Sequence, residues 1–158
     1  MSSPDNDFVL DKTILRAADI RGVAGLTLPV RAAELIGRGF GSVVLRCGLK
    51  TVIVGGDGRL STPELKSALI RGLAACGARV VDIGLCPTPM LYFAVVTTPE
   101  TAGVMVTASH NPKEYNGFKM LLDGQSFCGS DLLGLGDMID RRDFTTGEGG
   151  VERADFLP

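Results

Sequence analysis

Thr51-Val52-Ile53-Val54-Gly55-Gly56-Asp57-Gly58-Arg59-Leu60-Ser61-Thr62-Pro63-Glu64-Leu65 passes from a short apolar strand, through a glycine-bearing loop, into the start of a helix. Ser61 has the residue type of an N-cap, and Glu64 three positions on completes the pattern of a capping box. Leu65, Ala68, Leu69, Gly72, Leu73 and Cys76 then recur at the spacing of one buried helical face. Gly77 supplies a stop. Arg79-Val80-Val81-Asp82-Ile83 reads as a second strand, Thr88 and Pro89 open a second helix running to Val96, and Gly103 to Thr107 reads as a third strand. The order β-α-β-α-β implies parallel strands joined by right-handed crossovers. Ligands of such sheets bind at the carboxyl ends of the strands. The loops beginning at Gly55, Gly84 and Thr107 are therefore expected on one edge.

Outward from this unit, Pro29 to Leu45 reads as a helix, although Gly37, Gly39 and Gly41 weaken it by up to about 1 kcal/mol each. Phe118-Lys119-Met120-Leu121-Leu122 reads as a further strand, and Leu132 to Ile139 as a last helix. From Arg141 the chain turns polar and glycine-bearing, as a linker or tail would. The 158 residues suit one domain with a full core. A net charge of −2 gives no basic field for nucleic acid or an acidic membrane. No apolar run approaches the ~18 residues of a membrane span. Cys47, Cys76, Cys86 and Cys128 show no C-x-x-C spacing, and the N-terminus lacks the regions of a signal peptide, so a reducing cytoplasm is the expectation.

The residues that suggest chemistry follow the third strand, in Thr107-Ala108-Ser109-His110-Asn111-Pro112. Asn111 as N-cap, Pro112 at the first helical position and Glu114 three residues after the cap predict a short helix. Its free N–H groups and positive dipole end would face the Ser109 hydroxyl and favour an anion, phosphate above all. On local chemistry two readings of Ser109 stand open: a turn residue, or one linked to an anion. A hydrolase elbow G-x-S-x-G is excluded by Thr107 and Asn111. His110, the single histidine, makes no metal site alone and suits either a structural role or hydrogen bonding beside a phosphorylated serine. Lys119 could simply face solvent, and Arg21 in Asp19-Ile20-Arg21-Gly22 reads first as a charged turn residue. The glycines at 55, 56 and 58 do not form a dinucleotide fingerprint, because Ser61 stands where G-x-G-x-x-G needs its last glycine. A tight turn placing Asp57 and Arg59 is the better use, with Arg59 in an ion pair or at a domain interface.

Taken together, Thr107-Ala108-Ser109-His110-Asn111-Pro112 and Tyr115-Asn116-Gly117-Phe118-Lys119 resemble the phosphoserine signature of the α-D-phosphohexomutases, the phosphoglucomutases and phosphomannomutases. Asp19-Ile20-Arg21-Gly22 and Asp57-Gly58-Arg59-Leu60-Ser61 resemble two further motifs of that family, in matching order. The sequence is most similar to the bacterial phosphomannomutase/phosphoglucomutase branch. It departs at Ala17-Ala18, where an aromatic residue commonly precedes the aspartate, and at Gly56, where a basic residue is frequent.

The resemblance implies an α/β fold: a three-layer α/β/α sandwich with a mostly parallel, mixed sheet. It covers residues 8–140 as the family's N-terminal domain, with 141–158 as linker or tail toward a second domain that this chain lacks. Ser109 would carry a phosphoryl group and pass it to a hexose phosphate, interconverting 1- and 6-phosphates through a bisphosphorylated sugar. Ser109, His110 and Lys119 would be catalytic, and Arg21, Asn111 and Lys119 would bind phosphate. Mg²⁺ would bridge the Ser109 phosphate and an acidic loop of the second domain, and a hexose 1,6-bisphosphate would act as activator. The expected partners are hexose phosphates and the remaining mutase domains, and the isolated chain is expected to lack full turnover. The competing expectation is a non-catalytic module of the same fold that self-associates as a homodimer or binds sugar phosphates.

Overall fold

The computed structural model describes residues 8–154. Its strands are β1 (Ile20–Val23), β2 (Thr51–Gly56), β3 (Arg79–Leu85), β4 (Thr101–Val106), β5 (Tyr115–Leu122), β6 (Gln125–Ser126) and β7 (Val151–Arg153). Its helices are α1 (Val30–Arg46), α2 (Thr62–Ala75), α3 (Thr88–Thr97) and α4 (Ser130–Arg141). One sheet runs in the order β1-β5-β4-β2-β3-β7, with β6 paired to β5. β2 is parallel to β3 and β4, and β3 to β7, whereas β5 is antiparallel to both β4 and β1. The sheet is therefore mixed around a parallel centre, as expected.

The two sheet faces are covered unequally. On one, Leu35, Ile36 and Phe40 of α1, Leu65, Leu69 and Leu73 of α2, and Leu132, Leu135 and Ile139 of α4 bury Val52, Val54, Val104 and Phe118. On the other, Leu91, Ala94 and Val95 of α3 pack on Ile53, Met105 and Leu121. This gives three layers. The glycines that weaken α1 as an isolated helix serve its packing. A Cβ on Gly37 would stand 2.2 Å from the Leu69 carbonyl oxygen, and one on Gly72 2.1 Å from that of Glu34. The α1 and α2 backbones touch there, which only glycine permits.

Several local expectations are corrected. Ser61 does not cap α2: its backbone is already helical, and its side chain makes no cap bond. Its Oγ instead accepts from Asn116 Nδ2 at 2.8 Å. No helix follows Ser109; residues 107–114 form turns. Asn111 Nδ2 donates back to the Ala108 carbonyl at 3.0 Å rather than capping anything. Arg21 lies within β1, not in a turn, because Ile20–Val23 pairs residue for residue with Tyr115–Phe118. The polar stretch read as a linker from Arg141 folds back on the sheet. Thr145 Oγ1 donates to the Cys76 carbonyl at 2.8 Å, and β7 extends the sheet beside β3. Residues 155–158 of that stretch lie outside the described residues.

Candidate active site

β2, β3 and β4 end on one edge of the sheet, at Gly56, Leu85 and Val106. β5, being antiparallel to β4, begins there at Tyr115. The loop from Thr107 to Glu114 joins β4 to β5 on this edge, and Ser109 and His110 are its exposed residues nearest the strand end. Ser109 has φ +55°, in the left-handed region that a residue with a side chain seldom adopts. Such a conformation persists only where its surroundings over-determine it.

Those surroundings are the Asp57–Arg59 turn. Arg59 Nη1 donates to the carbonyls of Pro112 (2.7 Å) and Tyr115 (3.1 Å). Its Nη2 donates to the carbonyls of Ser109 (2.9 Å) and Asn111 (2.8 Å). Its Nε donates to Asp57 Oδ2 at 3.2 Å. The five side-chain N–H groups of an arginine are thereby all engaged. Asp57 Oδ2 also accepts from Thr107 Oγ1 at 2.8 Å, and that same hydroxyl accepts the Ser109 N–H at 3.0 Å. Asp57 Oδ1 accepts from Thr62 Oγ1 at 2.8 Å and from the Arg59 N–H at 3.1 Å. Gly56, where the family pattern often has a basic residue, fits this packing: a Cβ there would meet the Thr62 methyl at 2.7 Å. The missing helix has its reason here. The carbonyls of Asn111 and Pro112, which that helix would use in its own ladder, accept from one guanidinium, and the Pro112 carbonyl closes a turn to the Tyr115 N–H as well.

The second group of site residues lies on β5 and β1. Ile20 and Phe118 are paired and buried in the three-helix core. Strand alternation turns Arg21 and Lys119 to the opposite face. Lys119 is paired with Met105 of β4 there. The only described helix on that face, α3, packs on β4 and β2, so Arg21 and Lys119 remain partly exposed. Between them sits Asp19, 3 % exposed. Its Oδ2 accepts from Arg21 Nη2 at 2.7 Å and lies 3.6 Å from Lys119 Nζ. Arg21 Nε is buried without a hydrogen-bond partner among the described residues.

The structure thus places Ser109 and His110 together in one exposed turn, and pairs Arg21 with Lys119 through Asp19. Asn111 lies in the same turn, where its amide Nδ2 donates to the Ala108 carbonyl. Asp19, Asp57 and Thr107 go unrecognised as site residues in the sequence, and Arg59 appears there only as an ion-pair or interface residue. The available signal was the D-x-R pattern, present here in Asp19-Ile20-Arg21 and in Asp57-Gly58-Arg59. Nearby, burial pushes the Cys86 thiol above its ordinary range, while a backbone hydrogen bond at Gly56 and the charge of Lys66 pull the other way.

The chain is similar to known proteins over most of its length. Residues 12–145 match the family model described as phosphoglucomutase/phosphomannomutase, alpha/beta/alpha domain I. A phosphomannomutase/phosphoglucomutase from Pseudomonas aeruginosa is 47% identical over 149 residues, covering 94% of this chain and 32% of that protein. A phosphoglucomutase from Neisseria meningitidis is 41% identical over 147 residues, covering 92% and 32%. The crystal structure of a phosphoglucomutase/phosphomannomutase family protein from Burkholderia thailandensis superposes with a TM-score of 0.88 at 44% identity, over 93% of this chain and 34% of that one. The chain spans about a third of the length of the curated relatives it matches. With its mixed three-layer fold and a match over residues 12–145, the chain belongs to the phosphoglucomutase/phosphomannomutase family, as its α/β/α domain I.

Proposed function

We propose that this chain is the phosphoserine-bearing domain of a phosphomannomutase/phosphoglucomutase, an isomerase interconverting hexose 1-phosphate and hexose 6-phosphate. In this reading Ser109 carries the phosphoryl group. The P–O bond to Ser109 Oγ breaks as a P–O bond forms to a sugar hydroxyl, whose proton leaves to water. The bisphosphorylated sugar turns over in the cleft, and its other phosphoryl group returns to Ser109 Oγ. Phosphoryl transfer depends chiefly on positioning and on neutralising charge. Arg21 and Lys119 supply positive charge on the neighbouring strands, and His110 donates a hydrogen bond to the reacting oxygens. The observation that carries the reading is the exposed Ser109 at a left-handed turn on the carboxyl edge of the sheet, its backbone held by Arg59.

Mg²⁺ enters the proposal as an ion held mostly from outside these residues. Among the described residues no three His, Cys, Asp or Glu side chains cluster to hold a metal. The described groups therefore do not fit a complete Mg²⁺ site, and Ser109 would add only an oxygen of its phosphate. Sustained turnover accordingly needs groups beyond this domain, and cytoplasmic sugar phosphates are the proposed substrates.

The test is intact-mass spectrometry of the protein expressed from its complete gene, after incubation with glucose 1,6-bisphosphate and Mg²⁺. A gain of ~80 Da, one phosphoryl group, is expected, mapping to Ser109 and absent from Ser109→Ala. Labelling that survives that substitution overturns the reading. A second reading, a self-associating module, draws on the outer side of α3, where Phe93 is 62% and Val96 73% exposed. It leaves the geometry around Ser109 without a use.

A further inference from the structure

We infer that Arg59, with Asp57 and Thr107, is a positioning device for the phosphoryl-carrying serine. The inference rests on the reading of Ser109 as that carrier. Arg59 touches no reacting atom; its guanidinium reaches only Asp57 and the carbonyls of Ser109, Asn111, Pro112 and Tyr115. These carbonyls run from Ser109 in the loop to Tyr115, the first residue of β5. The loop is anchored a second time at its entry, where Thr107 Oγ1 accepts the Ser109 N–H and donates to Asp57. Ser109 is thus gripped at its N–H from one side and at its C=O from the other, and both grips converge on Asp57. That fixes the φ of +55°, and with it the direction of the Cα–Cβ bond that carries the hydroxyl.

A lysine cannot do the same work. Its ammonium is a point charge, whereas the planar fork of arginine serves four carbonyls and a carboxylate at once. Thr107 requires a hydroxyl that both donates and accepts, which serine shares and valine does not. Misplacing a reacting group by about 1 Å costs on the order of 100-fold in rate. Because the device orders the carrier and does not touch the sugar, the cost falls on kcat rather than on KM.

The test uses the protein expressed from its complete gene, in the coupled conversion of glucose 1-phosphate to glucose 6-phosphate with glucose 1,6-bisphosphate as activator. Arg59→Ala and Arg59→Lys are expected to lower kcat by about 100-fold with KM changed by less than about twofold. Thr107→Val is expected to lower kcat by about tenfold, and Thr107→Ser to restore it. Phosphorus NMR of the loaded serine should show a broadened, shifted resonance in the Arg59 variants. Near-native kcat in Arg59→Lys overturns the inference. So does a Thr107→Ser variant as slow as Thr107→Val. If the Arg59 variants do not fold, the Thr107 pair decides. Ser109→Ala runs in parallel: if it keeps full turnover, the reading of Ser109 as carrier fails, which is a different failure from an indifferent Arg59.

Discussion

The chain contains D-x-R three times, and the two copies at the candidate site, Asp19-Ile20-Arg21 and Asp57-Gly58-Arg59, do opposite things. In Asp57-Gly58-Arg59 the backbone turns, so that the Arg59 N–H donates to Asp57 Oδ1 and the guanidinium Nε to Oδ2. The remaining four N–H groups go to loop carbonyls. In Asp19-Ile20-Arg21 the chain enters an extended strand, and the spacing of two puts carboxylate and guanidinium on one side of it. Arg21 then gives Asp19 a single bond at 2.7 Å and keeps a buried Nε with no partner among the described residues. An arginine whose donors are all spent on protein can only build. One with donors to spare has capacity for a ligand. The same three-residue pattern thus yields a scaffold for the Ser109 loop in one copy and, on β1, an arginine with donors to spare in the other.

Removing the hub of the scaffold is expected to have the largest effect on stability. Asp57 accepts four hydrogen bonds, two of them from Arg59, with its side chain 24% exposed. Asp57→Ala leaves a guanidinium and two hydroxyls without their acceptor. Urea unfolding should show a loss of about 3 kcal/mol. A loss below about 1 kcal/mol would mean that the loop holds without this turn, and the contrast between the two D-x-R copies would collapse.

Asp19→Ala should cost less, about 2 kcal/mol, although Asp19 is the more deeply buried carboxylate. Its two partners, Arg21 and Lys119, are each 27% exposed and can turn to water when it is removed. The same urea measurement checks the order. If Asp19→Ala proves costlier than Asp57→Ala, the strand pair rather than the turn is the structural centre of the site.

The contrast also shows what a sequence can and cannot display. The parallel centre was legible because apolar runs such as Thr51-Val52-Ile53-Val54 alternate with helical periodicity, and both follow from which face is buried. The fate of the Ser109 loop was not. Asn111-Pro112 with Glu114 carries the local signature of a helix start, yet Arg59, about fifty residues earlier in the chain, takes the carbonyls that helix would need. Ser61 lost its capping role in the same way, to Asn116 on β5. β7 is exposed at every residue and is held by backbone pairing to β3, so no hydrophobic pattern marks it. The hairpin between β5 and β6 was legible and went unread: Asp123 and Gly124 both have positive φ, as an Asp-Gly hairpin turn requires.

Arg21→Ala should disturb stability least while affecting binding most. The substitution removes one charge-assisted bond to Asp19, but it also removes a buried N–H that has no partner. The two effects oppose each other, and Lys119 remains 3.6 Å from Asp19 to hold part of its charge. The net cost should be about 1 kcal/mol or less. Binding should respond differently, since a charge-assisted bond to phosphate contributes about 1.5–3 kcal/mol, or roughly 10- to 100-fold in affinity. Calorimetric titration of the complete protein with glucose 1-phosphate measures this directly. Affinity lost in Arg21→Ala and retained in Asp57→Ala assigns clamp and scaffold to their separate aspartates. Equal losses in both would make the two D-x-R copies parts of one structural unit, with no division of labour between them.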